Sequence, residues 1–217
     1  MLDQNYLQFI MIKSKSLLNG IGNYKKTNAY YDEWSAEYDK TLLKWNYSAP
    51  KKSSAIIKTY VKSKPKNILD LACGTGLFAE KIIKIFPKSI IDGLDISKKI
   101  LNEAKFKNIY NNLQCKNFDK KLSFKKKYDL VSCIGALTYT KNPFKLFLNI
   151  LKITSSGGYF IFTHRVDLWK KQNYSHLLNK ISNKWSLVFI SRPRLYLPKN
   201  SDFTDKIKIK IVLLKKR

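Results

Sequence analysis

Three features of the 217-residue chain predict an α/β fold on a mostly parallel sheet. Apolar runs of strand length alternate with segments of helical apolar spacing between residues 66 and 163. The first strand runs into a glycine turn and a helix, then another apolar strand, which is a β-α-β unit. The alternation then stops: residues 185–191 and 206–214 read as two strands with no clear helix between them. A chain of this length forms one domain, with enough apolar residues for a full core.

Residues 1–26 are polar, with Gly20 and Gly22 as breakers, and read as a loose extension ahead of a single domain over 27–217. Met11 is an alternative start. From Thr27 the pattern turns helical, with Tyr30, Trp34, Tyr38 and Leu42 recurring every four residues on one face. Ser48-Ala49-Pro50 opens a second helix over 48–63. Lys66 to Leu71 is the first core strand, and Leu77 to Phe86 is a helix. A second strand at 89–95, a helix at 97–107 and a third strand at 112–118 follow. The fourth strand is Tyr128 to Ile134, and Phe144 to Ile153 has helical spacing. Ser155-Ser156-Gly157-Gly158 reads as a turn before a fifth strand, Tyr159 to Thr163. Lys206-Ile207-Lys208-Ile209-Lys210-Ile211 alternates as a half-exposed or edge strand should.

The chemistry is carried by Ile68-Leu69-Asp70-Leu71-Ala72-Cys73-Gly74-Thr75-Gly76. An apolar strand holds one acid, then breaks into glycines. Asp95, nineteen residues past Gly76, ends the next strand. Such a unit holds a nucleoside against a backbone turn. Gly74-Thr75-Gly76-Leu77-Phe78-Ala79 also fits the dinucleotide pattern, but that match alone is weak. Asp70 argues against a dinucleotide, because a carboxylate just before the turn would repel a pyrophosphate. It suits a ligand with a cationic end. S-adenosylmethionine (SAM) has an ammonium, a sulfonium, a carboxylate and a ribose, and no phosphate. Asp70 can accept from the ammonium, Gly74 and Gly76 admit close backbone approach, and Asp95 can take the ribose hydroxyls. The N-terminus of the following helix favours the carboxylate.

On these residues the chain resembles the class I SAM-dependent methyltransferases. Asp70-Leu71-Ala72-Cys73-Gly74-Thr75-Gly76 is a common form of their first motif, with Ala72 where many members have glycine. The opening Tyr31-Asp32-Glu33-Trp34-Ser35-Ala36-Glu37-Tyr38-Asp39 is similar to that of the small-molecule branch containing the Williams–Beuren syndrome region methyltransferase-like proteins. The resemblance covers residues 27–217. It implies a Rossmann-like, seven-stranded, mostly parallel sheet with an antiparallel C-terminal strand pair. It implies SAM as cofactor and S-adenosylhomocysteine as product. The residues it places against the cofactor are Tyr30, Tyr38, Asp70, Ala72, Cys73, Gly74, Thr75, Gly76, Asp95, Ile96, Asn117, Phe118 and Ile134. For adenine the family uses an Asp-Leu or Asp-Ala pair five residues before a Leu-Pro-Phe-like stretch. Here Leu122-Ser123-Phe124 fills that stretch, so the count gives Asn117, with Asp119 as the rival and a loop-surface acid as its plain alternative.

The formal charge of +27 invites a nucleic-acid reading. Yet 38 of the 42 basic residues are Lys, whereas base recognition leans on Arg forks. With 23 Ile and 17 Asn against 8 Ala, the lysines fit a coding bias and a solvated cationic surface. Residues 121–217 still hold 21 basic residues against 4 acids, a field that attracts anions. Cys73, Cys115 and Cys133 have no paired spacing and read as reduced core residues of a cytoplasmic protein. Two histidines, His164 and His176, give little support to a metal site, and no apolar run is long enough to span a bilayer.

The remaining site residues are expectations of mixed weight. The fourth strand ends at Cys133-Ile134-Gly135-Ala136-Leu137-Thr138-Tyr139, with neither an Asn-Pro-Pro-Tyr nor a Pro-Cys motif. Those absences lower nucleic-acid and glutamine acceptors and favour a small acceptor, anionic acceptors included. Tyr139 either lines the acceptor pocket or packs under the next loop. His164 is a candidate general base or a structural histidine. Arg165, Arg192 and Arg194 could grip an acceptor carboxylate or phosphate, or lie on a basic surface. Tyr31, Trp34 and Tyr196 complete the acceptor set, and the helix over 27–46 reads as a lid or as a docked aromatic stripe. The expected reaction is in-line methyl transfer to O, N or S of a small molecule, driven by proximity. An RNA or protein methyltransferase and a non-catalytic SAM-binding partner protein are the rivals.

Overall fold

A computed structural model describes residues 24–200 and 207–217. The expected N-terminal extension lies outside the described residues up to residue 23, and helix α1 (Tyr24–Trp34) already begins at its end. A 3-10 turn over Ser35–Glu37 separates α1 from α2 (Tyr38–Lys44). Helix α3 (Ala49–Tyr60) carries Pro50 in its first turn, where a missing N–H costs nothing.

The sheet then begins with β1 (Asn67–Leu71), β2 (Ile90–Asp95), β3 (Asn112–Cys115) and β4 (Tyr128–Cys133). It continues with β5 (Thr154–Arg165), β6 (Trp185–Ile190), β7 (Arg194–Leu195) and β8 (Lys208–Lys216). The strand order is β3-β2-β1-β4-β5-β8-β6, with β7 pairing to β8. The first five strands pair in parallel, while β8 is antiparallel to β5, β6 and β7. This is the expected fold, with eight strands in place of seven because the two-residue β7 is added. Helices α4 (Ala79–Ile82), α5 (Lys98–Phe106), α6 (Pro143–Ile153), α7 (Val166–Lys171) and α8 (Tyr174–Lys180) fill the connections. No described helix is long and apolar enough to cross a membrane.

Several elements differ from the sequence reading for identifiable reasons. The Ser155–Gly158 turn is absent: β5 runs straight through it, with Gly157 at φ +70° taking up the irregularity. β8 is not an edge strand. It lies between β5 and β6 and is buried from Ile211 to Leu214, so its early alternation reflects only the half beside β7. The helix expected over 77–86 is one short α segment continued by turns to Phe86. Cys115 is exposed at the end of β3, not buried, because β3 is the outer strand.

Apolar cores cover both sheet faces. One gathers Phe147, Phe160, Phe162, Tyr174 and Trp185; the other gathers Ile57, Ile68, Ile82, Ile91 and Ile161. Gly93 sits where these layers approach the glycine turn. A Cβ there would lie 2.8 Å from the Tyr110 ring, 2.9 Å from Leu113 and 3.0 Å from Cys73 Sγ. Gly93→Ala is therefore expected to lower stability by about 1–3 kcal/mol through overpacking. The shift of the urea midpoint at constant slope would measure it.

Candidate active site

The C-terminal end of β1 is shaped by three residues in the left-handed region, Ala72 (φ 52°), Gly74 (φ 56°) and Gly76 (φ 93°). Alanine at the first of these tolerates strain that glycine would avoid. The turn is fixed by Asp95, whose Oδ2 accepts from the Gly74 N–H at 2.9 Å and whose Oδ1 accepts from the Ser97 N–H at 3.0 Å. Ser97 also caps α5, its Oγ accepting from the Ile100 N–H at 3.1 Å. Burial pushes the Asp95 carboxyl up, and the N–H bonds partly offset that.

Asp70 lies at the floor. It accepts from Ser132 Oγ at 2.7 Å and from the Tyr110 hydroxyl at 2.9 Å. Burial nevertheless raises its carboxyl to about 7, so near neutrality the charged form awaits a cation.

Around these acids opens a cavity of about 200 Å³. Tyr31, Trp34, Tyr38, Ala72, Gly74, Asp95, Ile96, Asn117, Phe118, Ile134, Tyr139 and Tyr196 all line it. An adjoining cavity of about 30 Å³ shares Tyr38, Ala72, Gly74 and Ile134 and adds Asp70, Cys73 and Thr75. Gly76 lies just behind the turn, its own Cβ direction filled by Tyr110 at 3.0 Å. Tyr30 lies on α1, but its side chain is outside the described residues. The roof is aromatic: Trp34 meets Tyr38 at 4.6 Å between ring centroids, and the Tyr31 and Tyr139 hydroxyls are 3.3 Å apart.

Asn117 and Asp119 both line the cavity, but neither is idle. Asn117 Oδ1 accepts from the Asp119 N–H at 2.9 Å. Asp119 is no solvated loop acid: it accepts from Thr140 Oγ1 and, at 3.1 Å, from the Lys141 N–H. It thereby ties the loop after β3 to the turn that carries Tyr139.

Four expected site residues lie elsewhere. Because β5 extends to Arg165, His164 and Arg165 are inside the sheet, paired with Lys210 and Ile209 of β8. His164 is buried, stacks on Tyr174 at 3.9 Å between centroids and lines neither cavity. That position corrects the general-base reading. Arg165 forms a forked pair with Asp167 at 3.0 and 2.6 Å, and Arg192 is exposed outside both cavities, as is Arg194 on β7. The arginine clamp on an acceptor is thus corrected as well. Sequence reasoning missed Tyr47, Tyr110, Gly135 and Lys141. Gly135 has φ 85°, and a Cβ there would lie 2.6 Å from the Tyr47 hydroxyl, so only glycine lets Tyr47 reach the cavity. Its isolated position after a buried strand was the available signal.

Comparison with known proteins follows this geometry. Residues 69–160 match the family model described as a methyltransferase domain. Over those residues the chain carries a methyltransferase domain and is similar to the class I SAM-dependent methyltransferases. It is 32% identical over 143 residues to malonyl-[acyl-carrier protein] O-methyltransferase 2 of Ilyobacter polytropus, covering 64% of this chain and 53% of that protein. It is 29% identical to human methyltransferase-like protein 27 over 69% of this chain and 62% of that one. The chain spans about half the length of the first of these relatives. Among solved structures, this methyltransferase superposes on the plantazolicin methyltransferase BpumL, in complex with a pentazolic desmethylPZN analog and SAH. The TM-score is 0.62 at 19% identity, over 97% and 98% of the two chains.

Burial holds the His164 imidazole down to about 4. The folded value lies below the unfolded one of ~6.5, so its contribution is present above pH 6.5 and lost as pH falls toward 4. The loss approaches roughly 3 kcal/mol as an upper bound. Urea midpoints at pH 7 and pH 4.5 should therefore diverge more in the wild type than in His164→Gln.

Proposed function

We propose that this methyltransferase transfers the SAM methyl group to an oxygen, nitrogen or sulfur of a small-molecule acceptor by in-line displacement. The observation that carries the reading is the series Asp70, glycine turn, Asp95 around a cavity with an aromatic roof. The donor set fits SAM in each part. Asp70 suits the ammonium, Asp95 the ribose diol, and Ile96 with Phe118 a flat apolar base, while Asn117 offers an amide beside it. The neutral rings of Tyr38 and Trp34 suit a sulfonium. SAM brings an electrophilic methyl, so the chain's residues have to orient, enclose and exclude water.

The acceptor end is walled by Tyr31, Trp34, Tyr139, Tyr196 and Leu197, with Lys120 and Lys141 also in the lining. Burial pushes the phenols of Tyr31, Tyr38, Tyr47 and Tyr139 up, so they stay protonated. Asp70, Asp95 and Asp119 already accept from named donors. In this reading Asp70 and Asp95 serve the cofactor, and Asp119 serves the loop contact with Thr140 and Lys141. The acceptor atom we favour is already nucleophilic near pH 7, such as a carboxylate, a thiolate or an unprotonated amine. The relatives named as malonyl-[acyl-carrier protein] and ubiquinone biosynthesis O-methyltransferases lend weight to oxygen. A cavity of this size walled by tyrosines and a tryptophan favours a small molecule over RNA or a protein side chain. The three free cysteines agree with a cytoplasmic setting.

Incubation with methyl-labelled SAM and a fractionated metabolite extract tests the reading; label in a small product is expected, and label only in RNA or protein would overturn it. Asp95→Ala should weaken SAH binding by roughly tenfold or more, since each charge-assisted bond contributes about 1.5–3 kcal/mol. Calorimetry on the folded variant measures this. SAM affinity should rise with pH through about 7 as Asp70 ionises, and Asp70→Asn should flatten that dependence.

A further inference from the structure

The opening motif contains two aspartates, Asp32 and Asp39, that line neither cavity. Both are nonetheless engaged, each with a different cofactor loop. Asp39 accepts from the hydroxyl of Thr75, the residue between the two turn glycines, and its other oxygen is 2.7 Å from Lys107 Nζ. Lys107 is also 3.1 Å from Glu80, so it is held from two sides. Asp32 accepts from Ser97 Oγ at 2.5 Å and from the Lys99 N–H at 3.4 Å. Ser97 is the residue whose N–H Asp95 holds, and Asp95 in turn holds Gly74. The contacts form a closed circuit: Asp32, Ser97, Asp95, Gly74, Thr75, Asp39, and back along the motif. Between the two aspartates lie Trp34 and Tyr38, with Tyr31 just before them, the aromatic residues of the roof.

We propose that Asp32 and Asp39 are positioning residues that latch the aromatic N-terminal segment onto both cofactor loops. They act through Ser97 and Thr75 and set the height of the Trp34–Tyr38 roof over the cavity. The proposal rests on the reading that this cavity holds SAM. A carboxylate is suited to both ends: Asp39 takes the Thr75 hydroxyl at one oxygen and Lys107 at the other, and Asp32 takes the Ser97 hydroxyl and the Lys99 N–H at one oxygen. Six residues separate the two acids, and the 3-10 turn at Ser35–Glu37 bends the chain between them. The break in the helix thus lets one short segment reach two loops.

The test uses the full chain and two readouts. SAH binding to the wild type is measured first by calorimetry. Asp32→Ala and Asp39→Ala are each expected to weaken it about tenfold. The double variant should lose little more than the worse single one, because either break releases the same segment. Without SAH, trypsin should cut faster at Lys40 and Lys44 in the alanine variants, while the urea midpoint of the domain changes little. Asp32→Asn should restore much of the binding, since an amide oxygen still accepts from Ser97. Lys107→Ala should reproduce part of the Asp39→Ala loss, and serves where that variant fails to fold. Folded alanine variants with wild-type SAH affinity and wild-type cleavage would overturn the latch. Losses that multiply in the double variant would also overturn it, by showing two independent loop contacts. If the wild type binds no SAH, the cofactor reading fails, and the cleavage rates still decide the latch.

Discussion

The site depends on one buried carboxylate. Asp95 ends β2 and holds the N–H groups of Gly74 and Ser97, so a single side chain fixes both the turn after β1 and the start of α5. In the low dielectric behind the sheet edge, such N–H bonds to a carboxylate are short and strong. Without them, the left-handed Ala72, Gly74 and Gly76 backbone would have little to hold its shape. Cys73 adds a parallel tie, its N–H reaching the Leu94 carbonyl at 3.0 Å.

Buried acids are unusual in a chain of net charge +27, and each is satisfied differently. Asp92 accepts from the Tyr128 hydroxyl at 2.8 Å and from Asn111 at 3.1 Å, and Lys126 pairs with it at 2.8 Å. It is a strut. Asp70 is buried and, among the described residues, accepts from the neutral donors Ser132 and Tyr110; burial leaves its carboxyl near 7. The contrast between a neutralised acid and a cation-seeking one a strand away separates scaffold from site.

Local pattern made much of this legible. The strand, turn and second strand around Asp70 and Asp95 occupy under thirty residues, and two continuously buried strands flanking glycines mark such units directly. What escaped depends on distant pairing. Tyr110 reaches Asp70 across 40 residues, and Asp119 meets Thr140 across 21. Nothing in the run Lys120, Lys121, Lys125, Lys126, Lys127 signals that the acid beside it faces inward. His164 escaped because the apolar run stops at Phe162, which ends the strand read from sequence at Thr163, whereas pairing with β8 carries β5 on to Arg165. The actual strand extends past it, and α7 and α8 fold over it.

The proposed transfer asks for no base in the chamber. A sulfonium methyl is already a strong electrophile, so an acceptor with a free lone pair gains most from alignment and loss of solvent. Tyrosine walls suit that task better than titrating groups would. Burial keeps the phenols neutral, their rings pack closely, and the Tyr31–Tyr139 hydroxyl pair satisfies polar atoms that would otherwise be stranded. A histidine in the same chamber would compete with the acceptor for the methyl and bring water with it. Placing His164 behind the sheet, neutral and stacked on Tyr174, keeps the one imidazole of this region out of the chemistry.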